Sequence, residues 1–259
     1  MKPPRLFVVR RLRDNQDLVA KVVEGAEEEK CILQYLREKD PIGRYIIPLE
    51  SIASSNLGLV ILLPVRASVR QLMKQSNGSG YGGRLVHFAE ELIKGVAFIH
   101  RNGVAHLDIK PDNLVYTYSF RLQIIDFDVS VRVEDEYVMF CEEVGTSDYA
   151  APEIGRGAFS PILADRWSCG KTIDELVEFD EGGGASRRER LSRFASRLMD
   201  VIPRQRPSLQ EWSRFEETEG EDKDKVESLP ASTIGFKRLY DESDDGSGKR
   251  SKLWMNEAR

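Results

Sequence analysis

The chain has 259 residues, 41% hydrophobic and 31% charged, enough for one large domain or two packed lobes of ordinary globular composition. Its net charge of −5 excludes a general electrostatic attraction to nucleic acid or anionic membranes, although a local basic patch stays compatible with it. Three scattered cysteines, Cys31, Cys141 and Cys169, exclude a disulfide framework or a zinc site by their number and spacing, and fit a reducing compartment.

The opening MKPPRLFVVRRLRD lacks the long apolar core of a signal peptide. Within it Leu6–Leu12 is rich in apolar and β-branched residues and predicts a strand, and after the turn residues Asp14 and Asn15 a second strand covers Leu18–Val23. Glu24–Glu38 reads as a helix, with Ile32, Leu33 and Leu36 at helical spacing and glutamates crowding the end that favours negative charge. Pro41 and Gly43 end it. Tyr45–Ile47 and Leu59–Leu63 are further strand candidates. The longest apolar run, Leu57–Val65, is broken by Gly58 and Pro64 and falls far short of the ~20 residues of a membrane span. The expected location is therefore intracellular, the cytoplasm favoured over the nucleus.

After Pro64 the pattern turns helical. Ser68–Gln75 predicts a short helix, SNGSGYGG a flexible stretch, and Leu85–Arg101 a long amphipathic helix stopped by Asn102-Gly103. Two short strands, Leu114–Tyr116 and Leu122–Ile125, precede an irregular acidic stretch. Helices are predicted over Asp165–Glu178, Ser186–Val201 and Ser208–Phe215. From Glu216 the chain is polar, acidic and rich in Ser and Gly, the composition of a disordered tail.

Five motifs stand in order on this framework. HLDIKPDN spans His106–Asn113, DFD spans Asp126–Asp128, and GTSDYAAPE spans Gly145–Glu153; Asp165 to Gly170 reads DRWSCG, and Arg206 sits in RQRPS. By these the chain resembles the eukaryotic protein kinase family from about Leu6 to Phe215, matching its HRDxKxxN, DFG, APE and DxWSxG motifs and its late arginine. The resemblance implies an α+β, bilobal fold. A β-rich first lobe, truncated, would occupy residues 1–63, a larger helical lobe 64–215, and the acidic tail 216–259. It implies catalytic roles for Asp108, Lys110 and Asn113: Asp108 would take or orient the substrate hydroxyl's proton, and Lys110, typical of serine/threonine kinases, would reach the transferring phosphate.

Asn113 and Asp126 would hold Mg2+, a hard cation suited to amide and carboxylate oxygens. Lys21 would bind the phosphates of ATP, with Glu29 as its helix partner and Glu28 as the fallback. The segment Ile61–Val65 would form the hinge, placing Ile61, Leu62 and Val65 against adenine, and Val115 would pack beneath the base. Thr146 would support Asp108. His106 and Phe127 would be interior packing residues, Glu153 and Arg206 a buried ion pair, and Asp165 an acceptor for the catalytic-loop backbone.

The chain also departs from the family pattern. Counting back from Lys21 leaves no room for a GxGxxG loop, and only eight positions separate Lys21 from Glu29. Val19 stands where VAxK has alanine. Leu107 replaces the arginine of HRD, which predicts independence from a phosphate switch on the activation segment. Asp128 replaces the DFG glycine; it would assist a metal, repel phosphate or, the favoured option, cap a turn. The short EGGGASRRER stretch leaves little room for a substrate-docking helix. The function implied is an ATP-dependent protein serine/threonine kinase, with a pseudokinase scaffold as the alternative and a small-molecule kinase a lesser third. The expected partners are ATP and an unidentified protein substrate, with no nucleic acid, no membrane and a monomeric state.

Overall fold

The computed structural model describes residues 5–23, 27–56, 58–75, 82–180 and 182–217. The expected tail from 218 onward and most of the glycine-serine stretch, 76–81, lie outside them. Strands β1 (Arg5–Arg11) and β2 (Gln16–Val23) form a hairpin whose register runs from Arg5↔Val22 to Arg11↔Gln16. Asn15 turns it in the left-handed region (φ 57°), which asparagine tolerates better than most side chains. Every residue from Leu18 to Val23 is buried, because β2 is an interior strand.

Helix α1 (Glu27–Lys39) buries Glu29, Ile32, Leu33 and Leu36, a single stripe at helical spacing with one carboxylate in line. Glu28 points to solvent. The predicted strand at Tyr45–Ile47 is instead an extended segment joined to the second lobe by one isolated bridge, Ile46↔Ile124. Buried Asp40 takes up its amides, accepting from the N–H groups of Arg44, Tyr45 and Ile46 at 2.8, 2.8 and 3.2 Å, and Pro48 has no N–H to continue a ladder. Strand β3 (Ser51–Ser55) was not signalled by its serine-rich, mostly exposed sequence; it is an edge strand held by main-chain pairing to β4 (Gly58–Pro64). The antiparallel order is β1-β2-β4-β3.

The second lobe opens with β5 (Ala67–Ser68), α2 (Val69–Gln75) and α3 (Arg84–Arg101). Then come β6 (Val104–Ala105), β7 (Leu114–Tyr116), β8 (Leu122–Ile124) and β9 (Val131–Arg132). Helices α4 (Pro161–Glu178), α5 (Ala185–Leu198) and α6 (Trp212–Glu217) complete it. α4 begins earlier than its periodicity suggests, because Pro161 suits the first helical turn and the Ser160 hydroxyl accepts from Leu163 N–H at 3.3 Å. The predicted helix from Ser208 starts as a 3-10 turn, Leu209–Glu211, closed by a Ser208/Glu211 capping box, before α6 continues it.

The glycine run before α5 has a packing role. A Cβ on Gly183 would lie 2.4 Å from a Val86 methyl, and one on Gly182 would lie 2.7 Å from the Gly82 Cα. This close approach lets the Asp180 carboxylate accept from the N–H groups of Gly83 (3.1 Å) and Val86 (3.0 Å), capping α3 from another element. α3 and α4 are nearly enclosed and form the platform beneath the catalytic loop.

Candidate active site

The loop between β6 and β7 is fixed from below by α4. Asp165, wholly buried, accepts from His106 N–H at 2.6 Å and Leu107 N–H at 2.7 Å, and contacts His100 Nε2 at 3.0 Å. These bonds hold Leu107 in the left-handed region (φ 64°), a conformation a bulky side chain adopts only when its surroundings impose it. His106 is buried, with Nε2 3.0 Å from the Ile125 carbonyl and its ring 4.8 Å from Phe127, which is also fully buried.

Asp108 then projects with both oxygens engaged. Thr146 Oγ1 donates to Oδ1 at 2.7 Å, while Lys110 Nζ at 2.6 Å and Asn113 Nδ2 at 2.9 Å donate to Oδ2. Lys110 Nζ also lies 2.6 Å from Thr146 Oγ1, and Asn113 Nδ2 donates to the Asp108 carbonyl at 2.8 Å. A carboxylate has about four lone-pair sites, so these three donors fix its plane and leave Oδ1 one site for a further hydroxyl.

Asp126 adopts φ 69° just after the strand β8 and binds Lys21 Nζ through Oδ1 at 2.5 Å; Lys21 also donates to Glu29 Oε1 at 2.6 Å. Burial alone would push the Lys21 ammonium down, but the charges of Asp126 and then Glu29 hold it above the usual lysine range. Burial favours a neutral Asp126, yet the Lys21 charge wins and holds its carboxyl below the usual range. Burial pushes Glu29 up, Lys21 recovering only part, and its Oε2 has no partner among the described residues.

The donor set suits one hard cation. The Asn113 amide gives its N–H groups to Asp108, which leaves its oxygen as a ligand, and Asp126 commits only Oδ1 to Lys21. The Ile125 N–H to Asn113 carbonyl bond, 3.0 Å, joins the backbones on which the two ligands stand. Mg2+ commonly takes one or two protein oxygens and completes its shell with phosphate and water.

Ile61 is fully buried in β4 directly opposite Lys21, and Leu62 pairs with Ala20. The Val65 carbonyl accepts from Arg66 Nη1 at 3.0 Å. Val115 is completely buried in β7, paired with Ser68 and Gln123.

Asp128 occupies a turn closed by the Ser130 N–H to Phe127 carbonyl bond (3.2 Å) and has none of glycine's positive φ. Its carboxylate receives no hydrogen bond from the described residues, so it does not cap that turn. Burial, and then the neighbouring Asp126 charge, push it toward its neutral form.

Leu107, 3% exposed, belongs to an apolar cluster with Ala105, Ala151, Phe159, Ile162 and Ala164, against which Phe140 and Val144 pack. Phe140 and Phe159 exchange two main-chain bonds of 2.8 Å, and Gly145 passes so close that a Cβ would lie 2.5 Å from the Leu107 carbonyl. Arg132 of β9 stacks 4.0 Å over the Tyr35 ring of α1. Apolar packing and one cation–π contact thus order this segment without a phosphate. Leu107→Ala is expected to lower unfolding stability by about 2–5 kcal/mol in denaturant titrations. Phosphatase treatment of the wild type should change any transfer activity less than about twofold; a collapse would refute phosphate independence.

Sequence reasoning did not anticipate a second ion cluster joining Arg70, Asp112, Tyr149 and Glu175. Asp112 lies inside a recognised motif, but nothing in the spacing of α2 marks Arg70 as its partner.

The family pattern described as the protein kinase domain matches residues 6–219. A probable cell division protein kinase of Encephalitozoon cuniculi is 32% identical over 138 residues, 53% of this chain and 51% of its own length. CBL-interacting protein kinase 16 of Oryza sativa subsp. japonica is 25% identical over 183 residues, covering 67% and 40% of the two chains. A probable serine/threonine-protein kinase of Clostridium acetobutylicum is 24% identical over 171 residues, covering 63% and 26%. The chain spans about half the length of the first of these relatives and less of the other two.

Proposed function

The chain belongs to the protein kinase family, and we propose that it transfers the γ-phosphoryl group of MgATP to a serine or threonine hydroxyl of a protein. The observation that carries this reading is the grip on Asp108: three donors orient its carboxylate and leave one acceptor site on Oδ1. That site accepts the proton of an incoming hydroxyl, and Thr146 and Lys110 keep the oxygen aimed at it. Lys110 Nζ, already beside Asp108, places a point charge at the transferring phosphate. Lys21, positioned by Glu29, holds the other phosphates. Ile61, Leu62 and Val65 line the adenine end, with Val115 beneath it. Magnesium bound by Asp126 and Asn113 would neutralise charge on the phosphate oxygens. The serine/threonine kinase name of the Clostridium relative and the presence of Lys110 favour a hydroxyl of that class.

No described helix is long and apolar enough to cross a membrane. We place the protein inside the cell as a monomer acting on a protein substrate, not on nucleic acid.

The test is transfer of labelled γ-phosphate from ATP to casein, alongside direct measurement of nucleotide binding. Transfer is expected with magnesium and should disappear when the metal is chelated. Nucleotide binding with no transfer, in magnesium or manganese, would sink the enzyme reading and leave the scaffold alternative.

A further inference from the structure

Beside the catalytic loop, one guanidinium is held by three acceptors from three different elements. Arg70 of α2 donates through Nε to Asp112 Oδ2 at 3.0 Å, through Nη1 to Glu175 Oε1 at 2.6 Å, and through Nη2 to the Tyr149 hydroxyl at 2.6 Å. That hydroxyl donates in turn to Glu175 Oε2 at 2.5 Å. Burial, then its bond to Glu175, push the Tyr149 phenol up to about 12, so it keeps the proton it donates. Together the acceptors match the planar fork of a guanidinium, which a lysine's point charge would not fill.

The cluster stands where a substrate must pass. Asp112 lies four residues beyond Asp108 in the same loop. Tyr149 lies three beyond Thr146, whose hydroxyl holds Asp108, and its N–H is bonded to the Thr146 carbonyl at 2.9 Å. A segment that brings its hydroxyl to Oδ1 of Asp108 runs along these elements. The cluster is open to solvent on that account: the Arg70, Asp112 and Glu175 side chains keep 17–23% of their surface exposed. Two carboxylates face one arginine, so the site retains a net negative charge.

We propose that Asp112, Tyr149 and Glu175 form an arginine-shaped peptide subsite filled in cis by Arg70, which makes Arg70 a specificity-determining residue. The proposal rests on the protein kinase reading above. An arginine in a substrate would have to displace a guanidinium already tethered at high effective concentration, and so gains nothing there. Selectivity arises from exclusion rather than from a new contact. If Arg70 is instead only a tie between α2 and α4, its removal loosens the fold and creates no preference.

The experiment scans arginine through each flanking position of a serine peptide, using wild type, Arg70→Ala and Arg70→Ala/Glu175→Gln. Wild-type rates should vary less than about threefold with arginine position. Arg70→Ala should gain about tenfold or more in kcat/KM for arginine at one position, and the second substitution should remove the gain. A folded, active Arg70→Ala chain with no such position would overturn the proposal. So would a wild-type arginine preference that Glu175→Gln abolishes. If no chain phosphorylates any peptide, the kinase reading fails, and binding of the same peptides by fluorescence polarisation decides this one. Binding about tenfold tighter to Arg70→Ala than to wild type upholds it, and equal binding refutes it. Should Arg70→Ala not fold, Arg70→Lys, which frees part of the acceptor set, should show a smaller gain at the same position; no gain refutes the proposal.

Discussion

Asp108→Asn is expected to lower phosphate transfer about a thousandfold while nucleotide binding and the unfolding midpoint stay near wild type. The loss of a positioned general base accounts for about 10²–10⁴ in rate. The local geometry sets why asparagine cannot compensate. The carboxylate accepts on both oxygens, from Thr146 on one side and from Lys110 and Asn113 on the other. An amide has one oxygen and one NH2 group, so one of these donors would face another donor. The incoming hydroxyl also meets a group that cannot take its proton. Nucleotide affinity should persist because Lys21, Glu29 and Asp126 are untouched. Binding is read by titration with a fluorescent ATP analogue and transfer by phosphate incorporation. Transfer retained within tenfold of wild type would remove Asp108 from the chemistry.

How much of this was legible in the sequence depends on the kind of signal. Amphipathic helices such as α3 and the hairpin of β1 and β2 follow from hydrophobic period and turn residues, with ends shifted by a residue or two where caps come from elsewhere. The α3 cap is supplied by Asp180, about a hundred residues away, and no local pattern announces it. β3 was invisible because main-chain pairing, not side-chain burial, makes it a strand. Tyr45–Ile47 misled for the opposite reason: it is apolar and buried, but Asp40 takes its amides. In the site, HLDIKPDN and DFD mark positions whose residue types are dictated by chemistry, so they can be read without a structure. The Arg70 cluster cannot, since its four members come from four elements with no shared spacing. The glycine run at 182–184 looked like missing substrate-binding structure and proves to be a contact surface.

The largest stability effect is expected at Arg206, whose side chain is fully buried. Its Nη1 and Nη2 donate to the two Glu153 oxygens at 2.6 and 2.8 Å, Nη1 also donates to the Leu163 carbonyl at 2.8 Å, and Nε to the Asp200 carbonyl at 2.9 Å. Arg206→Ala would leave a part-buried carboxylate and two carbonyls without their donor, and open a cavity beside Trp167. Removing one partner of such a pair costs about 3–5 kcal/mol. Arg206→Lys keeps the charge but reaches fewer of these acceptors, so its loss should be smaller, with the order wild type, lysine, alanine in chemical denaturation. Glu153→Gln is expected to cost less than Arg206→Ala, because Glu153 keeps some access to water. The Arg206→Ala/Glu153→Gln pair should then fall short of the sum of its parts, as the second change removes the stranded charge. Additive losses would mean that the carboxylate and guanidinium do not act as a unit. The same variants carry a functional consequence, since Glu153 anchors the segment that presents Thr146 to Asp108. Transfer should fall in Arg206→Lys even at temperatures where the chain remains folded, which separates loss of positioning from loss of fold.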